Sequence, residues 1–135
     1  MSIVIRRALR RVLGAAAVFF GVMTLFAGGR MLFGGEVARQ GAGQIVEFVL
    51  LFNFGAGFAY VTAGVAALLD RRWSVWVARG LAVATGLVFA ALGAHILGGG
   101  AFEEQTVVAM TVRTTFWTAQ AVMWPYLVGR RGPPQ

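Results

Sequence analysis

The stretch QIVEFVLLFNFGAGFAYVTAGVAALLDRR, residues 44–72, decides the fold. From Gln44 to Leu69 its only ionisable side chains are Glu47 and Tyr60, and as a helix it would reach ~39 Å, more than a hydrocarbon core of roughly 30 Å. Asp70-Arg71-Arg72 interrupts the apolar run, and Trp73 opens a second one that lasts to Gly98. Two apolar segments of membrane length joined by a short charged turn describe a hairpin that crosses a bilayer and returns.

Working outward, Val12 to Gly29 precedes this hairpin and Thr106 to Val128 follows it. Lipid offers the backbone no hydrogen-bond partner, so each run is expected to be helical, and the chain lacks the many alternating strands a barrel would need. The predicted fold is all-α, one membrane domain over residues 1–135, a bundle of four transmembrane helices at about 12–29, 44–69, 73–98 and 106–128. Composition agrees: 59% of residues are hydrophobic, 13% are charged, and the mean hydropathy is +0.75, beyond what the surface of a soluble domain tolerates.

The net charge of +7 comes from twelve arginines and no lysine. They do not form a solvated face of the kind nucleic acid requires, so no nucleic-acid partner is expected. They gather beside apolar ends. Arg6, Arg7, Arg10, Arg11, Arg71, Arg72, Arg130 and Arg131 fall on one side, whereas the other has only Arg30 and Arg39, with Glu103 and Glu104 in its second loop. The positive-inside rule therefore predicts both termini and the Asp70-Arg71-Arg72 turn to be cytoplasmic. Trp73, Trp76, Trp124 and Tyr126 suit an aromatic belt at that surface. Arg79 is near enough to snorkel. The basic start, apolar stretch and small residues Ala27-Gly28-Gly29 also follow the order of a secretory signal, but Leu25 is a poor residue for a cut after Ala27, and the segment is read as a retained span. Zero cysteine excludes disulfides, thiol redox chemistry and thiolate metal sites.

Small residues recur in register: Gly14, Gly21 and Gly28 every seven; Gly55, Ala59, Ala63 and Ala67 every four; Gly86, Ala90, Ala94 and Gly98 every four. Such stripes let helices approach closely, within one bundle or between copies. The first loop is expected to hold a short interfacial helix around Glu36–Gln40, Pro125 to kink the last span, and the Gly-Pro-Pro-Gln tail to fray.

Ionisable groups at membrane depth are costly and tend to face a bundle interior. Glu47 and His95 lie about three residues inside their spans, and Arg113 about seven, roughly 10 Å deep at 1.5 Å per residue. All three fall in the outer leaflet, with Asn53 beneath them. On the last span Met110, Arg113, Trp117, Gln120 and Trp124 share a helical face predicted to point inward. The candidate ligand-binding residues are therefore Arg113, His95, Glu47, Asn53, Trp117 and Gln120, an outer-leaflet pocket for a lipid or quinone headgroup. Arg113 would anchor it, with His95 and Glu47 as proton-linked partners. A simpler alternative pairs Arg113 with Glu47 or Glu104 to fix helix register. No catalytic motif and no metal site are seen. A single histidine cannot hold a haem between two, and scattered methionines without thiolates do not suit copper.

The order of parts, an Arg-flanked first span, a long outer loop, a second span with Gly55-Ala56-Gly57 and Ala63-Gly64, an Arg-Arg turn and two further spans, resembles the DoxX-like group of small four-helix bacterial membrane proteins. The resemblance covers the whole chain in topology and size. It implies a multi-pass protein of the cell inner membrane and, since members have been linked to oxidoreductase complexes including a thiosulfate:quinone oxidoreductase subunit, a quinone as the possible cofactor. The leading expectation is an accessory or assembly subunit of a larger membrane complex, with a membrane-protein partner or a second copy. The alternatives are a quinone- or lipid-binding oxidoreductase subunit and a small solute transporter. Small multidrug transporters are similar in length but use an embedded Glu in their first helix, which this first span lacks.

Overall fold

A computed structural model describes residues 1–130. Arg131 and the Gly-Pro-Pro-Gln tail, expected to fray, lie outside the described residues. Among the described residues the structure is all-helical: α1 Ile3–Phe33, α2 Gly35–Gln40, α3 Glu47–Leu68, α4 Trp73–Leu97 and α5 Glu104–Leu127. Three of them, α1, α3 and α4, are long and apolar enough to cross a membrane. The fourth long helix, α5, has 24 residues, enough length to cross, but it carries Arg113, Gln120 and five threonines.

The first helix is longer than the apolar run within it. Ser2 caps it, its Oγ accepting from the Ile5 amide at 3.2 Å, and helix continues through the arginine-rich segment for 31 residues, ~46 Å. Cations in the first turns oppose the helix dipole, and Arg10 finds its partners on another helix. Its guanidinium donates to the Ala67 and Leu68 carbonyls at 2.8 and 2.7 Å, supplying charge to the last turn of α3, where the dipole favours it.

The turn from α3 to α4 is a Schellman cap. Asp70 adopts a left-handed φ of 59°, while its amide donates to Ala67 and that of Arg71 to Ala66. The Asp70 carboxylate faces Arg10 at 3.5 Å and accepts from the Gly129 amide at 2.8 Å. The start of α1, the α3–α4 turn and the segment after α5 thus meet at one end of the bundle.

Packing is pairwise: α1 runs along α3, α5 along α4, and α3 joins α4, while α1 meets α5 only briefly. Gly14, Gly21 and Gly28 do face α3, but the residues opposite are Gly57 and Gly64 rather than the predicted stripe from Gly55. A Cβ on Gly64 would come within 2.8 Å of the Gly14 oxygen and the Val18 nitrogen, and one on Gly21 within 2.8 Å of the Val61 nitrogen. The two backbones touch. By contrast, Gly55, Gly80, Gly86 and Gly93 have no neighbour within 4 Å of a built Cβ, and Ala90 and Ala94 are exposed. The α4 stripe faces outward.

The core divides in two. The larger cluster, toward the arginine-rich end, centres on Tyr60, Trp117 and Trp124, all fully buried, among Ala17, Ala63, Ala67 and Ala78. Phe20 stacks on Tyr60 at 5.5 Å, Tyr60 meets Trp117 at 4.8 Å, and Trp117 meets Trp124 at 5.9 Å. Trp124 is therefore a core residue, not part of an aromatic belt, whereas Trp73, Trp76 and Tyr126 are exposed. A smaller cluster of Val46, Val49, Leu92 and Met110 closes the opposite end. Pro125 falls in the last turn of α5, which ends two residues later; the amide it lacks would have donated to the Ala121 carbonyl, so any disturbance is confined to the end of the helix.

Candidate functional site

Between the two clusters, where α1 and α5 diverge, lies a cavity of about 320 Å³, at the small end of the range for ligand sites. Thr24, Ala27, Gly28 and Met31 of α1 form one wall, and Thr106, Ala109 and Arg113 of α5 the other. Spacings of three and four on both helices make these single faces. Val49, Leu50 and Asn53 of α3 form the back, and residues 42–46 with Glu103 and Gln105 form the rim. The rim is stapled: Glu103 accepts from the Gln44 amide at 2.9 Å. Beside it Gly43 has a φ of +74°, and a side chain there would run into the Glu103 carboxylate.

Arg113 lies ten residues into α5, ~14 Å along its axis. Its guanidinium lies over the Phe20 ring at 5.4 Å and makes one long contact, 3.5 Å, to the Thr24 hydroxyl. Its Nε is buried without a hydrogen-bond partner. The ion pairs among the described residues are Arg10 with Asp70 and Arg39 with Glu47; neither expected carboxylate, Glu47 or Glu104, pairs with Arg113. Asn53 lines the same cavity, its Oδ1 also buried and unpartnered. Behind it the Tyr60 hydroxyl faces Arg113, Thr85 and Trp117 without a well-formed hydrogen bond to any of them.

Arg113 and Asn53 are thus brought together. Glu47 is the first residue of α3 and forms a two-point pair with Arg39 at 2.6 and 3.1 Å, an exposed contact that raises the Arg39 pKa further above its ordinary value. Arg39 Nε also donates to the Met31 carbonyl at 3.0 Å. The pair therefore ties the first loop to the ends of α1 and α3. His95 is committed elsewhere too. Its Nε2 lies 2.9 Å from the Ala101 carbonyl, an acceptor only, so that nitrogen carries the proton. The ring packs edge-on to Phe48 at 6.0 Å and closes the loop after α4. Trp117 and Gln120 are buried in the larger core, with Gln120 Nε2 donating to the Leu13 carbonyl at 3.1 Å.

Thr24, Gln44 and Glu103 line the cavity without having been singled out in the sequence. For Thr24 a signal existed: it is the one polar residue between Val12 and Gly29. For Gln44 and Glu103 none did, because their position depends on how two loops meet. Comparison with protein-family models, curated proteins and solved structures finds no match.

Proposed function

We propose that this is a four-span membrane protein, arginine-rich end toward the cytoplasm, that binds the polar head of a membrane-soluble ligand, a lipid or a quinone, in the cavity at Arg113. The observation that carries the reading is an arginine at membrane depth, paired with no carboxylate among the described residues and lining a cavity beside an unpartnered Asn53 oxygen. Placing such a cation costs a few kcal/mol, and an anionic or carbonyl oxygen in the cavity would offset that cost. Arg113 would donate to it, the Asn53 Oδ1 would accept from a headgroup hydroxyl, and the apolar walls at Ala27 and Val49 would take the carbon skeleton. The role is binding, without a catalytic group.

Membrane crossing by α5 is supported by its outward face. Val108, Val112, Val122 and Met123 are exposed there, and among the threonines that share this face, Thr111, Thr115 and Thr118, the Thr111 hydroxyl donates back to the Val107 carbonyl at 2.8 Å, as a polar group facing lipid requires. Of its two charges, Arg113 points inward, and Glu104 is exposed in the first turn, at the end of the helix.

Saturable quenching of tryptophan fluorescence by a decyl-benzoquinone, and its displacement by oleate, test the binding in purified protein. Losing a charged hydrogen bond is worth about 1.5–3 kcal/mol. Arg113→Gln is therefore expected to weaken binding about tenfold or more, Arg113→Lys less, and Glu47→Gln not at all. Equal binding by wild type and Arg113→Gln, or saturable binding of neither probe, would sink the reading.

A second reading, an accessory subunit within a larger membrane complex, is favoured by the open glycines on α4. It is compatible with the first, since a ligand site and a docking face occupy different helices here.

A further inference from the structure

At the arginine-rich end a second cavity, about 300 Å³, is lined by Arg6, Arg7, Arg10, Arg130, Asp70 and the apolar pair Ile3 and Leu127. Its charges are unequally committed. Arg10 is spent on the α3 carbonyls and on Asp70, and Asp70, the one acid in the lining, is engaged by Arg10 and by the Gly129 amide. That leaves Arg6, Arg7 and Arg130 with no carboxylate partner among the described residues. Arg130 rests over the Tyr126 ring at 5.5 Å, its donors still available.

We propose that this cavity binds the phosphate of an anionic phospholipid. Three arginines on two different helical ends converge on one concave space, and a phosphodiester is the anion whose oxygens match the planar donors of guanidinium groups. The apolar part of the lining fits a lipid rather than a soluble anion. Ile3 and Leu127 stand beside the arginines, and the exposed Val4 and Ile5 of the first turn continue an apolar surface along which acyl chains would run. Basic pockets between helices at a membrane surface hold acidic headgroups in this manner. The site requires the protein to lie in a membrane and is independent of the ligand at Arg113.

The test is retention of lipid through purification, read by native mass spectrometry after equilibration with mixed micelles containing phosphatidylglycerol, cardiolipin or phosphatidylcholine. Arg10 is left untouched because it holds α1 to α3. The triple variant Arg6→Gln, Arg7→Gln, Arg130→Gln is compared with a charge-matched control, Arg11→Gln, Arg71→Gln, Arg79→Gln, whose residues lie outside the cavity. Each surface arginine contributes roughly fivefold to binding an acidic lipid, so the cavity triple is expected to lose phosphatidylglycerol or cardiolipin by about a hundredfold. The control should keep most of it, and phosphatidylcholine should be retained poorly by all. Equal loss in both triples would reduce the effect to diffuse surface charge and overturn the proposal, as would no loss in either. Displacement of the lipid by millimolar inorganic phosphate would assign the site to a free anion and overturn the lipid assignment. Thermal unfolding of both triples, run in parallel, separates lost binding from lost fold.

Discussion

Asp70 combines two roles in one side chain. Its backbone is left-handed, at φ 59°, a conformation that costs most side chains about 1–2 kcal/mol and that Asp tolerates better than most. Its carboxylate meanwhile receives Arg10 and the Gly129 amide. Two substitutions separate these roles. Asp70→Gly keeps the turn and loses the carboxylate, whereas Asp70→Ala loses both; the alanine variant should unfold at a lower temperature in detergent than the glycine variant, and both below wild type. Equal melting of the two would mean that the left-handed turn contributes nothing. Residue identity alone showed that Asp70 lay in a turn. It did not show Arg10, sixty residues earlier in the chain, as its partner, because a long guanidinium reaches groups no periodicity describes. Glu47 makes the same point. Its place in the apolar run points to Arg113 as a partner, but α3 begins at Glu47 itself, and the carboxylate pairs with the exposed Arg39 of the first loop.

Among elements, the α1–α3 interface and the outer face of α4 are built from the same residue types and behave oppositely. At Gly64 an added methyl would meet backbone atoms of α1 at 2.8 Å; overpacking of that kind costs about 1–3 kcal/mol. Gly64→Ala is accordingly expected to lower the melting temperature in detergent. At Gly86 nothing lies within 4 Å, so Gly86→Leu should leave the melting temperature unchanged while abolishing co-purification of any partner or second copy held on that face. If Gly86→Leu unfolds the protein, or Gly64→Ala does not, the assignment of the two faces is wrong. The sequence pattern identified small-residue stripes but not which one was used, since helical phase within a segment says nothing about the phase of its neighbour. The extension of α1 back to Ile3 was likewise hidden. Hydropathy marks where lipid ends, not where helix ends, and the arginine-rich turns continue the helix beyond the apolar run.

For the whole molecule, the apolar runs make the helical architecture legible in the sequence, and the inward face of α5 with its buried Met110, Trp117, Gln120 and Trp124 is readable from spacing. The cavity is not. It arises because α1 and α5 touch at Phe20 and Phe116, 5.1 Å apart, and diverge beyond Thr24, a geometry set by three other packing contacts. The proposed orientation is directly measurable, and the absence of cysteine makes every introduced thiol the only one. In intact cells a membrane-impermeant maleimide should label Glu104→Cys and should not label Arg71→Cys until the membrane is opened. The reverse pattern would invert the protein, and labelling of Arg130→Cys, beyond the end of α5, in intact cells alongside Glu104→Cys would remove α5 from the membrane.

The junction at Asp70 has a consequence in time. It gathers the Arg10 guanidinium, the carbonyls and carboxylate at the end of α3, and the amide of Gly129, one contribution from each third of the chain. A ribosome delivers these in order, so Arg10 must wait while some sixty residues are made and inserted, and Asp70 must wait almost as long again for Gly129. Until then the first helix has no lock and the last turn of α3 lacks its cation. Closure of this contact therefore marks synthesis through Gly129, and a chain stopped anywhere before that residue is left with its carboxylate half satisfied.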